Sequence, residues 1–267
     1  MALDPGVIAW LLVAEALYLR ALRILGRRGV RIGAGQQTCW HAGIALQAVG
    51  LLSPVDSFSE DLLSAHMAQH LLIADLAAPL LLAGLRTPVL LFVPPRSVLV
   101  ALASRRRLRA VARRARRPLV ALPLYGLALY GWHLPFAFEA AVTHPPVHAL
   151  QHASFVGSGI LVWWSALEPN RRRLRGELWK IGHMLGARLT GMFLGMAFVL
   201  IRVPVYTDVY GNGERGLGLS AVGDQQLAGA LMVVTDILLM VFVLSFFFLH
   251  AAREQDRTDA RERASVT

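Results

Sequence analysis

The residues of this sequence best suited to chemistry are histidines. In HMAQH (66–70), His66 and His70 stand four residues apart with Met67 between them, and in HALQH (148–152), His148 and His152 repeat that spacing. On a helix, residues i and i+4 share one face a turn apart, so each pair presents two imidazoles in one direction. Neutral imidazole suits copper and zinc, and a thioether adds the softness that favours Cu(I). Two facing pairs are therefore a candidate metal site, with His133 of GWHLP (131–135) as a further imidazole and Met67 as a soft donor. Asp224, in GDQQLAG (223–229), is the carboxylate that joins them. It is a ligand, a group that orients a ligand imidazole, or simply an acidic residue at a helix N-terminus. The alternative for the histidines is a structural or proton-handling network. Methionines, Met192 and Met196 included, are also common bundle filler.

The elements that must position these residues are apolar helices. The chain has 267 residues, 55% of them hydrophobic and only 16% charged, where a soluble domain is about 45–50% apolar. Apolar runs fall at 7–25, 36–53, 62–85, 119–140, 146–167, 179–201 and 223–249. Each is roughly the 20 residues that span a hydrocarbon core of about 30 Å. Backbone polar groups in lipid need internal partners, so each run predicts a helix. The expected fold is all-α: a polytopic membrane bundle of seven transmembrane helices over residues 1–250, then a charged, disordered cytoplasmic tail at 251–267. The first run is too long for a signal-peptide core, and Arg20 and Arg23 lie at its end instead of before it. The single cysteine, Cys39, excludes an intrachain disulfide and any paired-cysteine metal motif.

The net charge of +10 comes almost entirely from arginine. Apart from Arg188, Arg202 and Arg215, every Arg and Lys falls in the links after the first, third and fifth runs, at the run ends that border those links (Arg20, Arg23, Lys180), or in the tail. Positively charged loops stay in the cytoplasm, which puts the N-terminus outside and the C-terminus inside. His66, His70, His133, His144, His148, His152 and Asp224 then share the outer face, whereas His41, His183 and His250 lie toward the cytoplasm. The link 86–118 is apolar, broken by Pro94 and Pro95, and ends in RRRLRAVARRARR (105–117). It predicts an interfacial segment on anionic lipid, or a re-entrant hairpin, with no nucleic acid as partner. Glu15, Asp75, Arg188 and Asp236 fall in mid-span. Such residues face the bundle interior in pairs, so Arg188 is expected to meet Asp75 or Asp236, as a packing ion pair or as part of a proton or cation path.

The stretches MAQHLLIADLAAPLLLAG (67–84), GWHLPFAFEAAV (131–142), HALQHASFVGSGILVWW (148–164) and DQQLAGALM (224–232) together resemble the CtaG family, bacterial membrane proteins linked to cytochrome c oxidase assembly. The resemblance runs from about residue 60 to about residue 250. It implies a seven-helix, multi-pass protein of the bacterial cytoplasmic (inner) membrane. It also implies oxidase subunits as partners and a role in maturing the copper centres of the haem–copper oxidase. The family's histidine motifs fall on His66, His70, His133, His148 and His152, and its Asp-Gln start to the last helix falls on Asp224 and Gln225. Those copper centres are assembled toward the outer side of the membrane, where the charge pattern places the histidines. The expectation is a non-enzymatic assembly factor holding copper at His66, Met67, His70, His133, His148, His152 and Asp224. Two other readings stay open: a membrane haem protein ligated by histidines of facing helices, and a metal or proton transporter using the mid-span acids. Nothing in the sequence has the pattern of an enzymatic nucleophile or acid–base pair.

Overall fold

A computed structural model of the chain describes residues 4–167 and 178–266. Among the described residues the regular structure is helical, and the one pairing of extended backbone is an isolated bridge between Glu214 and Ser220. Helix α1 (Pro5–Arg27) starts at Asp4, whose Oδ1 accepts from Gly6 N at 2.7 Å, with Pro5 at the first position, where no amide is needed. Helix α2 (Ala34–Leu52) ends at Ser53, whose hydroxyl caps the short α3 (Pro54–Phe58). Helix α4 (Leu63–His70) runs through a π-helical turn (Leu71–Leu76) into α5 (Ala77–Gly84). Pro79 accounts for the widened turn, because it lacks the amide that would bond the Asp75 carbonyl. Gln47 of α2 donates to Ile73 O at 2.8 Å within that turn.

Helices α6 (Arg96–Ser104) and α7 (Arg106–Ala115) occupy the basic link, and neither has a buried residue. Helices α8 (Pro118–Trp132) and α9 (Pro135–Thr143) follow, bent by 74° at their junction. Then come α10 (Pro145–Leu167), α11 (Leu178–Leu200), the short α12 (Thr207–Tyr210) and α13 (Ala221–Val266). Helices thus cover all seven apolar runs, with two differences from expectation. The run 119–140 is two helices, because Pro135 confines Leu134 to extended backbone (φ −66°, ψ 134°) and stops α8 at Trp132. The stretch from residue 251 to Val266 is helical, a continuation of α13. The expected cytoplasmic arginines Arg171, Arg172, Arg173 and Arg175 lie outside the described residues.

Among the described residues, Leu63–Gly84, Trp179–Leu200 and Ala221–Arg253 are long and apolar enough to cross a membrane, and α8 with α9 adds a fourth if the bent pair is one span. Helices α1, α2 and α10 have 23, 19 and 23 residues. They have or approach the length of a span, but they carry polar side chains such as Glu15, Gln47 and the histidines of α10.

Where lipid supplies no hydrophobic drive, helices associate by close backbone approach at small residues. Gly191 and Gly195 form such a step on α11: a Cβ on Gly195 would stand 2.9 Å from the Gly229 carbonyl oxygen of α13. Beside it, Arg188 Nη1 lies 2.5 Å from Asp75 Oδ1 and 2.9 Å from Asp236 Oδ1, and Nη2 lies 3.4 Å from the Tyr125 hydroxyl. The one guanidinium therefore meets both expected carboxylates and ties the π turn, α8, α11 and α13 together. Glu15 accepts from Trp40 Nε1 at 2.9 Å and lies 3.2 Å from His41 Nδ1, which fastens α1 to α2.

Candidate functional site

Helices α4 and α10 bring their histidines face to face. Because both pairs have the same spacing, they meet as a two-by-two block. Across the helices the ring centroids are 5.2 Å apart for His66 and His148, and 5.1 Å for His70 and His152. Along each helix they are 4.4 Å apart for His66 and His70, and 4.1 Å for His148 and His152. His66 and His70 are buried, while His148 and His152 are partly exposed.

Buried polar atoms normally have hydrogen-bond partners. Here His66 Nε2, both ring nitrogens of His70, His148 Nε2 and His152 Nε2 have none. Gln151, fully buried next to His66, makes no hydrogen bond of good geometry either. As the rings stand, no three His, Cys, Asp or Glu side chains among the described residues are arranged to hold one metal ion.

Aromatic rings close the block. The bend folds α9 over it, with Phe138 centred 4.9 Å from His66, and Phe155 of α10 lies 4.7 Å from His70. Tyr206 stacks on Phe138 at 4.0 Å and donates its hydroxyl to His133 O at 2.8 Å. Tyr210 donates to Ser59 O at 3.0 Å. Burial pushes both phenols above their ordinary range, which keeps them protonated and able to donate.

His133 sits at the bend, where α8 ends. Its Nδ1 is 2.7 Å from Leu129 O, and its Nε2 is 3.4 Å from Met67 Sδ. A carbonyl only accepts, so Nδ1 carries the proton and the backbone fixes the tautomer. Beneath the block lies a cavity of about 30 Å³, whose lining includes Met67, His70, His133 and Met232 as well as Asp75 and Asp236. It has room for about one water molecule, and it links the histidines to the Arg188 ion pairs.

Of the residues expected at the site, His66, Met67, His70, His133, His148 and His152 come together. Asp224 does not join them. It is fully buried at the start of α13, where Oδ2 accepts from Leu63 N at 2.8 Å and lies 2.6 Å from Arg215 Nη1, while Oδ1 accepts from Ser64 N at 3.0 Å. Both oxygens are engaged, so Asp224 caps α4 from a different helix and neutralises Arg215, rather than serving as a ligand. Gln225 performs a similar task, accepting from Val205 N at 2.9 Å and donating to Ile201 O at 3.1 Å. His144 is exposed and lies 2.8 Å from its neighbour Thr143's hydroxyl. Met196 is exposed too. Sequence reasoning missed Gln151, Phe138, Tyr206, Arg215 and Met232. Only Met232 had a signal, since it lies two turns past Gln225 on the same face of α13.

Fold and site together define a protein that is helical throughout its described residues, with helices long and apolar enough to cross a membrane and a partly buried block of four histidines. Over residues 16–254 the chain matches the cytochrome c oxidase caa3 assembly factor family (Caa3_CtaG), and it belongs to that family. The match extends the resemblance seen in the central motifs to α1 and α2. No curated protein and no solved structure matches the chain.

Proposed function

We propose that this oxidase assembly factor takes copper as cargo at the block of His66, His70, His148 and His152 and releases it to an oxidase subunit during assembly of a copper centre. The observation that carries this reading is the set of buried imidazole nitrogens without partners. Such nitrogens can accept a metal ion without giving up an existing hydrogen bond, and they need no rearranged network once the ion leaves. Imidazole donors suit copper, and membership in an oxidase assembly family supplies a recipient. The role is binding and transfer, with no catalytic step.

The topology that fits this role has seven spans in the bacterial cytoplasmic membrane, with the N-terminus outside. The block then faces the extracytoplasmic side, while the arginines of α7 lie on anionic lipid at the cytoplasmic side. Across the two helices the rings are only about 5 Å apart, which leaves no slot for a porphyrin and disfavours the haem reading.

The test is copper content and the visible spectrum of the detergent-purified full chain after loading with Cu(I). Bound copper is expected in the wild type, and it should fall sharply in His70→Ala and in His152→Ala. His183→Ala should keep it, because His183 is engaged with Val162 O at 3.2 Å away from the block. Equal copper in the wild type and the double variant H70A/H152A overturns the proposal, and a Soret band would replace it with haem binding.

A further inference from the structure

We propose a second, inner metal site beneath the histidine block, in which His133 Nε2 and Met67 Sδ take a soft monovalent cation, Cu(I), with Met232 and His70 completing its shell. The inference rests on the copper reading above and adds sulfur donors to it.

The His133–Met67 contact has a chemical peculiarity. Because Nδ1 keeps its proton and donates it in a hydrogen bond to the Leu129 carbonyl, Nε2 of the neutral ring is a bare lone pair. A thioether sulfur is also only an acceptor. Two acceptors thus face each other at 3.4 Å, and both residues are buried. Such a pair wants an electron-poor centre between its members. A second proton on His133 would provide one, but it would bury an imidazolium that has no carboxylate bonded to it. A soft cation satisfies both lone pairs at once.

The geometry suits this. A tetrahedral d10 ion with bonds of about 2.0 Å to nitrogen and about 2.3 Å to sulfur holds the two donors roughly 3.5 Å apart, close to the 3.4 Å observed. The adjoining cavity, about 30 Å³, takes a bare ion. Met232 lines it, as does His70, whose ring nitrogens are both unpartnered. The charge suits it as well. Asp75 and Asp236 line the same cavity and share the single guanidinium of Arg188. With all three ionised the group carries one excess negative charge, which a monovalent cation neutralises. His70 belongs to both the block and the cavity, so it is the ligand through which an ion passes from one to the other.

X-ray absorption at the copper edge tests this on the detergent-purified full chain saturated with Cu(I). The wild type should show nitrogen neighbours together with a sulfur shell at about 2.3 Å. Met67→Leu and Met232→Leu should each weaken the sulfur shell, and the double variant should lose it while keeping nitrogen-bound copper. Cys39→Ser removes the only non-methionine sulfur and should leave the shell unchanged. Copper bound through nitrogen alone in the wild type overturns the inner site and leaves the block standing. No bound copper in the folded wild type overturns both. A sulfur shell that survives in M67L/M232L refutes the assignment to these residues. The wild-type spectrum decides the presence of sulfur by itself, so the test does not depend on how well the variants fold.

Discussion

Asp224→Ala separates a positioning role from a ligand role. The carboxylate is fully buried, 2.6 Å from Arg215 Nη1 and bonded to the first two amides of α4. Stripping one partner from a buried ion pair costs about 3–5 kcal/mol, and losing a helix cap costs about 1 kcal/mol. The expected loss is therefore about 4–6 kcal/mol. At roughly 2–4 °C per kcal/mol for a chain of this size, the thermal midpoint should drop by about 8–24 °C. The assay is thermal unfolding in detergent followed by circular dichroism. Arg215→Met in the same chain removes the uncompensated cation, so D224A/R215M should be more stable than D224A alone. The coupling should be about 0.5–3 kcal/mol. A midpoint shift below about 2 °C, or strictly additive effects of the two substitutions, refutes the reasoning. Loss of copper without loss of stability would return Asp224 to the ligand set.

Two further perturbations probe the packing around the site. Arg188→Met leaves the buried Asp236 and the partly buried Asp75 without their shared cation. It should cost about 3–5 kcal/mol, read as a smaller monodisperse peak in size-exclusion chromatography, with Asp236→Asn in the same chain restoring part of it. Gly195→Ala places a Cβ 2.9 Å from the Gly229 carbonyl oxygen, a backbone atom that cannot swing aside. It should destabilise by about 1–3 kcal/mol. Gly157→Ala is the control, because its Cβ would meet nothing within 4 Å and should leave the thermal midpoint unchanged or higher.

The parts of the fold and site that follow from local rules were legible in the sequence. Apolar runs located the helices, since run length and lipid burial are properties of a single segment. The i, i+4 histidines fixed which ring lies over which, and equal spacing on two helices let them mate as pairs. What escaped depends on partners distant along the chain. Asp224 looks the same in sequence whether it holds a metal or caps a helix, and only the approach of Leu63, Ser64 and Arg215 decides between them. The break at His133 was written in Pro135, two residues on, but the apolar character of 119–140 outweighed it. The softness of Met67 is legible in its residue type, but the lone pair it faces depends on α8 ending beside α4. Met232 carries no mark of its own in the sequence, because a methionine on an apolar helix is ordinary filler until a cavity opens next to it.

The folded-over α9 has a consequence for how fast the site can work. His66 and His70 lie under Phe138 and Phe155, and of the four rings in the block only His148 and His152 are partly exposed. On the copper reading, an ion arriving from water would have to shed its hydration shell at the rim before it could move deeper. Strongly hydrated Mg²⁺ dehydrates reluctantly and would be turned away there, whereas an ion presented by soft ligands could exchange them one at a time. Selectivity in such an arrangement is kinetic as well as thermodynamic: the covered rings set which ions arrive within a useful time, before any difference in final affinity is felt.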